Sequence, residues 1–339
     1  MSEKLAIGVI GAGRIGKIHA ANISRLVPRA GLEGIADIKM DAEQEAWANA
    51  LGAKIITRDA NDLLRNPAIK AVVICSSTDT HADLIVSAAE AGKHIFCEKP
   101  IDLTIARAQT AIDAAKKAGV KLQIGFNRRF DHNFARVRQH TLAGNIGQVQ
   151  LVKITSRDPS PPPPAYVAVS GGIFLDMMIH DFDMARFQAG SEITEVFASG
   201  AVLIDPEIGR AGDVDTALVS LKFANSAIGV IDNSRRAVYG YDQRVEVFGS
   251  RGAAIAENDL PNTVKLYGEE NVVSEKPLYF FLERYMNAFT GEMVSFVDSV
   301  LDNKPAAVSG EDGLEDMRAA LAAAKSLREN RPVKIAEIK

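Results

Sequence analysis

The stretch from Leu5 to Gly16 reads LAIGVIGAGRIG, and it decides the fold expected of this chain. Its opening residues predict a buried strand, and a helical stretch begins among the glycines that follow. Gly11 permits a tight turn, Gly13 lets the backbone approach a pyrophosphate, and Gly16 lets the helix pack closely on the strand. The first turn of the helix would present its backbone N–H groups to the phosphates. The stretch therefore predicts a turn that binds a dinucleotide.

Asp37 ends the second predicted strand, where a carboxylate can accept hydrogen bonds from the ribose hydroxyls of adenosine. The same charge would repel the additional phosphate of NADP, so NAD is the expected cofactor. Lys39 lies close behind and could soften this exclusion. The alternative interpretation of Asp37 is a solvated turn residue.

A polar run from Ser76 to His81 follows the fourth predicted strand, at the carboxyl edge of the sheet where ligands bind in open α/β folds. We expect this run to line the cofactor. Thr80 can also be the N-cap of the next helix, and His81 is better interpreted as structural than as catalytic. The expected cofactor contacts are Gly11, Gly13, Arg14, Ile15, Gly16, Asp37, Ser76, Ser77, Thr78, His81, Glu98 and Lys99.

The composition excludes several classes of protein. The 339 residues are 47% hydrophobic, which suits two domains with buried cores rather than a disordered or fibrous chain. The net charge of −4 favours neither nucleic acid nor an anionic membrane as a partner. The apolar runs are too short to span a membrane, and the N-terminus carries no secretory pattern, so a cytoplasmic protein is expected. Cys75 and Cys97 are expected to be buried, reduced thiols.

The order of predicted elements divides the chain near residue 125. Strands alternate with helices in the first part, which predicts a parallel sheet. Later strands follow one another with only turns between them, which favours antiparallel pairing, and two helices near 281–301 and 311–327 are expected to cover part of that sheet. We therefore expect an α/β Rossmann dinucleotide-binding domain over 1–125. An α+β domain for substrate binding and oligomerisation, with a mainly antiparallel open-faced sheet, is expected over 126–339.

The individual strands can be placed from the same pattern. In the first part we expect strands near 5–10, 32–36, 53–56, 70–75, 94–97 and 121–125. In the second part we expect a helix near 132–142 and strands near 148–157, 195–203, 214–222, 227–235, 244–248, 253–257 and 263–267. The proline run from Ser160 to Pro164 is expected to stiffen a loop beside the active site, with a docking site for another protein as the alternative.

Two segments carry side chains suited to chemistry. Glu98-Lys99-Pro100 follows the fifth strand, where the proline reshapes the turn and a cis bond after Lys99 is one way to do so. Asp176, His180 and Asp183 are spaced to lie on one face of a helix that follows a Gly-Gly pair. A carboxylate beside an imidazole can orient a general base. A metal site and a structural cluster at a helix start are the alternatives.

These motifs resemble those of the glucose-fructose oxidoreductase, inositol dehydrogenase and MocA (Gfo/Idh/MocA) family, and the resemblance runs the length of the chain. It rests on the glycine motif, on Glu98-Lys99-Pro100, and on Gly171-Gly172 followed by Asp176 and His180. Three longer segments are similar to the inositol 2-dehydrogenase branch. They are Gly125–Asp131, Ser156–Pro159 and Gly171–Arg186.

The resemblance implies a catalytic set of Lys99, Asp176 and His180 and no metal. His180 would accept the hydroxyl proton as a hydride leaves for the nicotinamide, Lys99 would stabilise the charge on the same oxygen, and Asp176 would bind the substrate and tune the pair. The implied reaction is NAD-dependent oxidation of a cyclic polyol, myo-inositol, to the 2-keto-inositol (scyllo-inosose). The alternatives are another inositol isomer, a pyranose sugar, or an NAD-sensing protein without turnover.

The resemblance also implies which residues contact the substrate, and a homotetramer formed through the open face of the sheet. Asn127 and Met177 depart from the pattern associated with other inositol dehydrogenases, and both bear on which isomer is preferred. The implied substrate contacts are Lys99, Asn127, Arg128, Asp158, Asp176, Met177, His180, Asp183, Tyr239 and Tyr241.

Overall fold

The computed structural model describes residues 4–339, and their packing forms two compact units. The first unit runs to Phe130 and also contains Asn287–Glu315. The second unit comprises Asp131–Met286 and Asp316–Lys339. The packing thus places the first boundary at Phe130, beyond the expected residue 125, and assigns one later segment to the first unit.

A six-stranded parallel sheet forms the centre of the first unit, as the sequence predicted. Its order, β3-β2-β1-β4-β5-β6, is that of a dinucleotide-binding fold. Ile7, Val9, Ile35 and Val73 are fully buried because the sheet is covered on both faces. The strands are β1 Leu5–Ile10, β2 Ala30–Ala36, β3 Ile55–Thr57, β4 Ala71–Ile74, β5 His94–Glu98 and β6 Leu122–Gly125.

Helices connect these strands, and local signals explain where they begin and end. The side chain of Asp41 accepts a hydrogen bond from the Gln44 N–H, and the Gln44 side chain accepts one from the Asp41 N–H, which caps the second helix reciprocally. Gly119 ends the fifth helix in a left-handed conformation, with φ of 68°. The helices are α1 Arg14–Arg25, α2 Ala42–Ala50, α3 Ala60–Leu64, α4 Thr78–Glu90 and α5 Ile105–Ala118.

The second unit contains a seven-stranded sheet ordered β12-β11-β7-β10-β9-β8-β15. Only the β7–β10 pair in that sheet is parallel, so the prediction of a mainly antiparallel sheet is confirmed. The strand expected near 263–267 is not part of this sheet. It pairs with the strand that follows it in a separate two-stranded antiparallel ribbon. The strands are β7 Val149–Arg157, β8 Ile193–Ala201, β9 Thr216–Phe223, β10 Ile228–Ser234, β11 Asp242–Gly249, β12 Gly252–Ala256, β13 Lys265–Tyr267, β14 Val272–Ser274 and β15 Val333–Lys334.

The larger sheet has one covered and one open face. The helices of the second unit before Asn287 are α6 His132–Leu142, α7 Pro164–Ser170, α8 Ile179–Ala189, α9 Pro206–Arg210 and α10 Phe281–Arg284. Helices α6 and α8 pack on the sheet. Leu218, Ile228, Phe248 and Ile255 are each at least 44% exposed, so the open face carries several apolar side chains.

The helix α11, Met286–Leu301, differs from the sequence-based expectation. Its side chains Met293, Phe296 and Val297 belong to the same buried cluster as the β1 and β2 residues Ile7 and Ile35. We expected this helix to cover the sheet of the second half, but its apolar face completes the core of the first unit. The last helix, α12, spans Gly310–Glu329. Among the described residues, every helix is too short or too polar to cross a lipid bilayer.

Candidate active site

The turn between β1 and α1 has the geometry that a bound pyrophosphate requires. Gly11 has φ of +97°, and a Cβ added there would lie 2.6 Å from the backbone of Cys75 and Ser76. A Cβ added at Gly16 would overlap the Gly11 carbonyl oxygen. A Cβ added at Gly13 would meet nothing within 4 Å among the described residues. Glycine is therefore required at two positions by the protein itself, whereas the space beside Gly13 fits a ligand.

The N-terminus of α1 and Asp37 complete this part of the site. Helix α1 begins at Arg14, with Gly13 as its N-cap and no side chain of the described residues capping it. Asp37 is half-buried, and its two carboxylate oxygens accept hydrogen bonds from the Ala12 N–H at 2.6 Å and the Lys39 N–H at 2.8 Å. Each carboxylate oxygen can accept a further bond, so these residues fit a dinucleotide.

The polar run after β4 is organised by its own hydrogen bonds. The hydroxyls of Ser76 and Thr80 lie 2.7 Å apart, and Thr80 also donates to the Ser77 carbonyl oxygen. The buried His81 ring lies 2.8 Å from the Pro100 carbonyl oxygen through Nδ1 and 3.0 Å from that of Ser76 through Nε2. His81 therefore joins this loop to the loop of Lys99, and the bond between Lys99 and Pro100 is cis, as the sequence suggested.

Three ionisable side chains form a largely buried group that the sequence did not reveal, and one of them, Glu98, immediately precedes Lys99 in the chain. Nε2 of His19 lies 2.7 Å from Oε1 of Glu98 and 3.8 Å from Oε1 of Glu292. His19 and Glu292 are fully buried, and burial together with the charge of Glu98 raises the pKa of Glu292 well above its ordinary value. Gly125 makes room, because a Cβ there would lie 3.0 Å from the Glu98 carboxylate.

Two further residues of the first unit, and its cysteines, were named from the sequence. Asn127 and Arg128 form a short 3₁₀ turn that extends to Phe130, and both are buried. Cys75 and Cys97 are free thiols, and Cys97 is buried as predicted, whereas Cys75 is only half-buried. Burial raises the pKa of both, so neither has the thiolate character of a reactive cysteine.

In the second unit, Asp176 and His180 lie on two different kinds of helical turn. Asp176 belongs to a π-helical turn, Ile173–Met177, that follows Gly171 and Gly172 at φ of +87° and +77°. The Met178 N–H donates to the Ile173 carbonyl oxygen at 2.8 Å, the wide spacing of a π turn. His180 lies in the first turn of α8. The expectation of one regular helical face through Asp176, His180 and Asp183 is therefore wrong, because the π turn interrupts the 3.6-residue period.

Asp176 is held by residues that the sequence did not indicate. The Tyr166 hydroxyl donates to Oδ1 of Asp176 at 2.9 Å. The guanidinium of Arg235 lies near the other carboxylate oxygen, with Nη1 3.7 Å from Oδ2. The Asp176 side chain is 16% exposed, so a substrate can still reach it. The proline run therefore leads into a helix, α7, that supplies Tyr166.

The remaining predicted substrate contacts in the second unit differ in their surroundings. Met177 and Asp183 are buried, whereas Asp158 and His180 are half-buried.

The two candidate tyrosines are also unlike each other. The Tyr239 hydroxyl donates to Asp242 at 2.6 Å and accepts from Arg157 at 3.1 Å, and burial and Asp242 raise its pKa. Tyr241 is buried and packs edge-on against Phe280 and Tyr285. Tyr239 is thus the more accessible of the pair.

The alternative of a metal at Asp176 and His180 can be compared with the side-chain groups that could hold an ion. Within residues 4–339, two groups bring carboxylate and imidazole atoms within 4.8 Å of one another. They are His19, Glu98 and Glu292 in the first unit, and Asp131, His132 and Asp259 in the second. Neither group includes Asp176 or His180.

Comparison with known proteins gives a family match in each of the two units. Residues 5–126 match the family model described as "Oxidoreductase family, NAD-binding Rossmann fold", and residues 134–255 match the GFO/IDH/MocA C-terminal domain. A myo-inositol 2-dehydrogenase of Thermotoga maritima is 51% identical, over 98% of this chain and 99% of the relative. An inositol 2-dehydrogenase of Rhizobium meliloti is 48% identical, over 97% of this chain and 98% of the relative.

A solved structure gives the same result. The scyllo-inositol dehydrogenase of Lactobacillus casei, with bound NAD(H) and scyllo-inositol, superposes with a TM-score of 0.90 at 33% identity, covering 98% of this chain and 100% of that one. The resemblance inferred from the sequence motifs is thereby confirmed. The chain belongs to the GFO/IDH/MocA oxidoreductase family.

Proposed function

We propose that this chain is an NAD-dependent dehydrogenase that oxidises one secondary hydroxyl of myo-inositol to the ketone, scyllo-inosose. The observation that carries the proposal is the 51% identity, over 98% of the chain, to the myo-inositol 2-dehydrogenase of Thermotoga maritima. The glycine turn supports NAD as the cofactor, because the space beside Gly13 and the open N-terminus of α1 suit a pyrophosphate.

The catalytic roles fall to Lys99, Asp176 and His180. When bound, NAD supplies the hydride acceptor. His180 accepts the proton of the reacting hydroxyl as a general base, and Lys99 donates a hydrogen bond to the same oxygen and stabilises its negative charge. Asp176 accepts a hydrogen bond from the substrate. The bond from Tyr166 supports this last role, because it restricts the rotation of the Asp176 carboxylate.

The polyol hydroxyls that do not react are bound by the other predicted contacts. We propose that Asn127, Met177 and Tyr239 influence which isomer is accepted, together with the acidic and basic side chains of this set. A second candidate substrate is scyllo-inositol, since the solved relative with bound scyllo-inositol is 33% identical. The charged members of the set are Arg128, Asp158 and Asp183.

A panel of inositol isomers and pyranose sugars, each with NAD and with NADP, tests the function. We expect the highest kcat/KM with myo-inositol and NAD, followed as NADH absorbance. A chelator should have no effect on the rate, because the proposed chemistry uses no metal. No rate above background with any inositol would contradict the proposal, and NAD binding without turnover would favour a sensor.

The role of Lys99 has its own test. Lys99→Ala should lower kcat by about 10²-fold or more, since it removes a donor to the developing oxyanion. The dissociation constant for NAD should change little, because the glycine turn and Asp37 are intact. Lys117→Ala, an exposed lysine of α5, is the control. An unchanged kcat in Lys99→Ala would exclude the assigned role.

We further propose that the chain is cytoplasmic and forms a homotetramer through the open face of its second sheet. The exposed Leu218, Ile228, Phe248 and Ile255 support an interface there, because exposed apolar side chains on a sheet face favour contact with another subunit. A small polyol is the expected partner, and neither nucleic acid nor a membrane is.

A further inference from the structure

Arg235 follows β10, and its guanidinium is almost completely buried, with 2% of the side chain exposed. It lies between two carboxylates. Nη1 is 3.7 Å from Oδ2 of Asp176, and Nη2 is 3.6 Å from Oδ2 of Asp213. Because a buried cation without an opposite charge is strongly destabilising, this position indicates that the guanidinium and the two carboxylates form one unit.

Asp213 connects this unit to the backbone that carries Asp176. Both of its carboxylate oxygens accept the Ile173 N–H, at 2.9 and 3.1 Å. Ile173 is the first residue of the π turn that contains Asp176. Gly172 allows the close approach, since a Cβ there would lie 2.8 Å from Oδ1 of Asp213. Arg235 therefore touches Asp176 at one end and, through Asp213, the start of its turn at the other.

The backbone of Arg235 is itself fixed. Its N–H donates to the Asp215 carbonyl oxygen at 2.8 Å. The carboxylate of Asp215 accepts the backbone N–H groups of Leu203, Ile204 and Asp205 at 2.8–3.0 Å. These hydrogen bonds fix the backbone from which the Arg235 side chain extends, as is required of a residue that positions another side chain.

We propose that Arg235 is a positioning residue for the dehydrogenation: it bridges Asp176 and Asp213 and thereby fixes both the Asp176 carboxylate and the π turn in the orientation that the substrate requires. The inference rests on the proposed function for the role of Asp176 and for the identity of the substrate. Tyr166 and Arg235 restrain Asp176 from two directions, so the loss of Arg235 leaves one restraint instead of two.

A double-mutant cycle tests whether Arg235 acts through Asp176. Arg235→Met should lower kcat at least about tenfold in the wild-type background but less than about threefold in an Asp176→Asn background, because residues that act as a unit are not additive. The dissociation constant for NAD should not change. Arg235→Lys keeps the positive charge but not the planar guanidinium that can reach two carboxylates at once, so it should recover part of kcat. The adjacent, exposed Arg236→Met is the matched control and should behave as wild type.

Amide hydrogen exchange of the peptide that contains Ile173 provides a test without substrate. We expect faster exchange in Arg235→Met and in Asp213→Asn than in Arg236→Met, because both changes weaken the hydrogen bonds from the Ile173 N–H to the Asp213 carboxylate. Unchanged exchange would overturn the proposal, as would an equal kcat loss in both backgrounds of the cycle. If Arg235→Met does not fold, Arg235→Lys and Asp213→Asn provide both readouts. Failure of the wild type on every polyol would contradict the proposed function alone, and exchange would then decide the role of Arg235.

Discussion

We expect the choice between NAD and NADP to depend on Asp37. Asp37→Asn keeps the shape of the side chain but removes the charge that would repel a 2′-phosphate. We expect the preference for NAD to fall at least about tenfold, since hydrogen bonds to charged groups contribute about 1.5–3 kcal/mol. The measurement is kcat/KM with each cofactor. Asp113→Asn, on the exposed side of α5, is the control, and an unchanged preference would show that Asp37 does not contact the ribose.

Individual site residues could be predicted where their role follows from a local pattern. Gly11, Gly13 and Gly16 are recognisable because they recur at a fixed spacing within one short turn that follows a strand. Tyr166 and Arg235 escaped prediction because their partner, Asp176, is brought to them only by the fold. Arg235 stands beside Arg236 in the sequence, and a pair of arginines after a strand is typical of a solvated surface.

At the scale of elements, the strand–turn–helix at the start of the chain offers two glycine substitutions with opposite expected results. Gly16→Ala should destabilise the protein by about 1–3 kcal/mol, because its Cβ overlaps the Gly11 carbonyl oxygen. Gly13→Ala should leave the unfolding free energy nearly unchanged, since the structure has space there. It should nevertheless weaken NAD binding, because the Cβ occupies the approach of the pyrophosphate.

Denaturant unfolding and NAD titration of both variants measure these effects. Gly31→Ala is a control, since a Cβ there also meets nothing within 4 Å and the residue lies in β2, away from the turn. If Gly13→Ala bound NAD as tightly as wild type, the pyrophosphate would have to lie elsewhere.

The contact of α11 with α1 and β5 predicts a pH-dependent stability. Glu292 has a pKa raised well above its ordinary value of 4.5 in the folded state, first because of burial and second because of Glu98. A carboxyl whose folded pKa is raised stabilises the fold fully below its unfolded pKa, and this contribution is lost as the pH rises toward the folded pKa. In that interval the free energy of unfolding falls by about 1.4 kcal/mol per pH unit.

Glu292→Gln removes this titration and keeps the shape. We expect the stability of wild type relative to Glu292→Gln to decrease as the pH rises above about 4.5, measured by denaturant unfolding at a series of pH values. His19 and Glu98 are present in both proteins, so their main contributions cancel in the difference. The exposed Glu90→Gln should show no such trend. A pH-independent difference for Glu292→Gln would mean that Glu292 is ionised in the folded protein.

Most elements could be predicted from the sequence, because apolar periodicity reports burial directly. All six strands of the parallel sheet were expected within a few residues of their observed bounds. The π turn of Asp176 was not, since the reasoning assumed a regular helix and the two left-handed glycines before it fit several turns. The partner of α11 was also missed, because an apolar helix face does not specify which sheet it will cover.

For the whole molecule, the open sheet face predicts the oligomeric state. Ile228 and Phe248 both pair with Leu151 of β7, the strand between β11 and β10, so three apolar side chains form a row across the face. Phe248→Lys combined with Ile228→Lys should dissociate the proposed tetramer, because charges would be buried at the interface. Light scattering gives the mass, and Leu142→Lys, an exposed residue of α6, is the control. A tetrameric double variant would place the interface on another surface.

The fold class itself followed from the order of elements, and the family models confirm it for 5–126 and 134–255. What the order could not give is the composition of the two units. The prediction treated each unit as one continuous segment, whereas packing assigns Asn287–Glu315 to the first. The packing of this late segment on the first unit depends on the match between two apolar surfaces. The sequence of neither surface specifies the other.

This discontinuity bears on how the protein is made. During synthesis the strands of the nucleotide-binding unit leave the ribosome first, but Met293, Phe296 and Val297, which complete its core, emerge only after the whole segment Asp131–Met286. Until then the nascent sheet keeps an apolar face that water or a chaperone must cover. The unit whose synthesis begins first therefore completes its core late. We expect a chain that ends before α11 to be an aggregation-prone fragment rather than a functional nucleotide-binding domain.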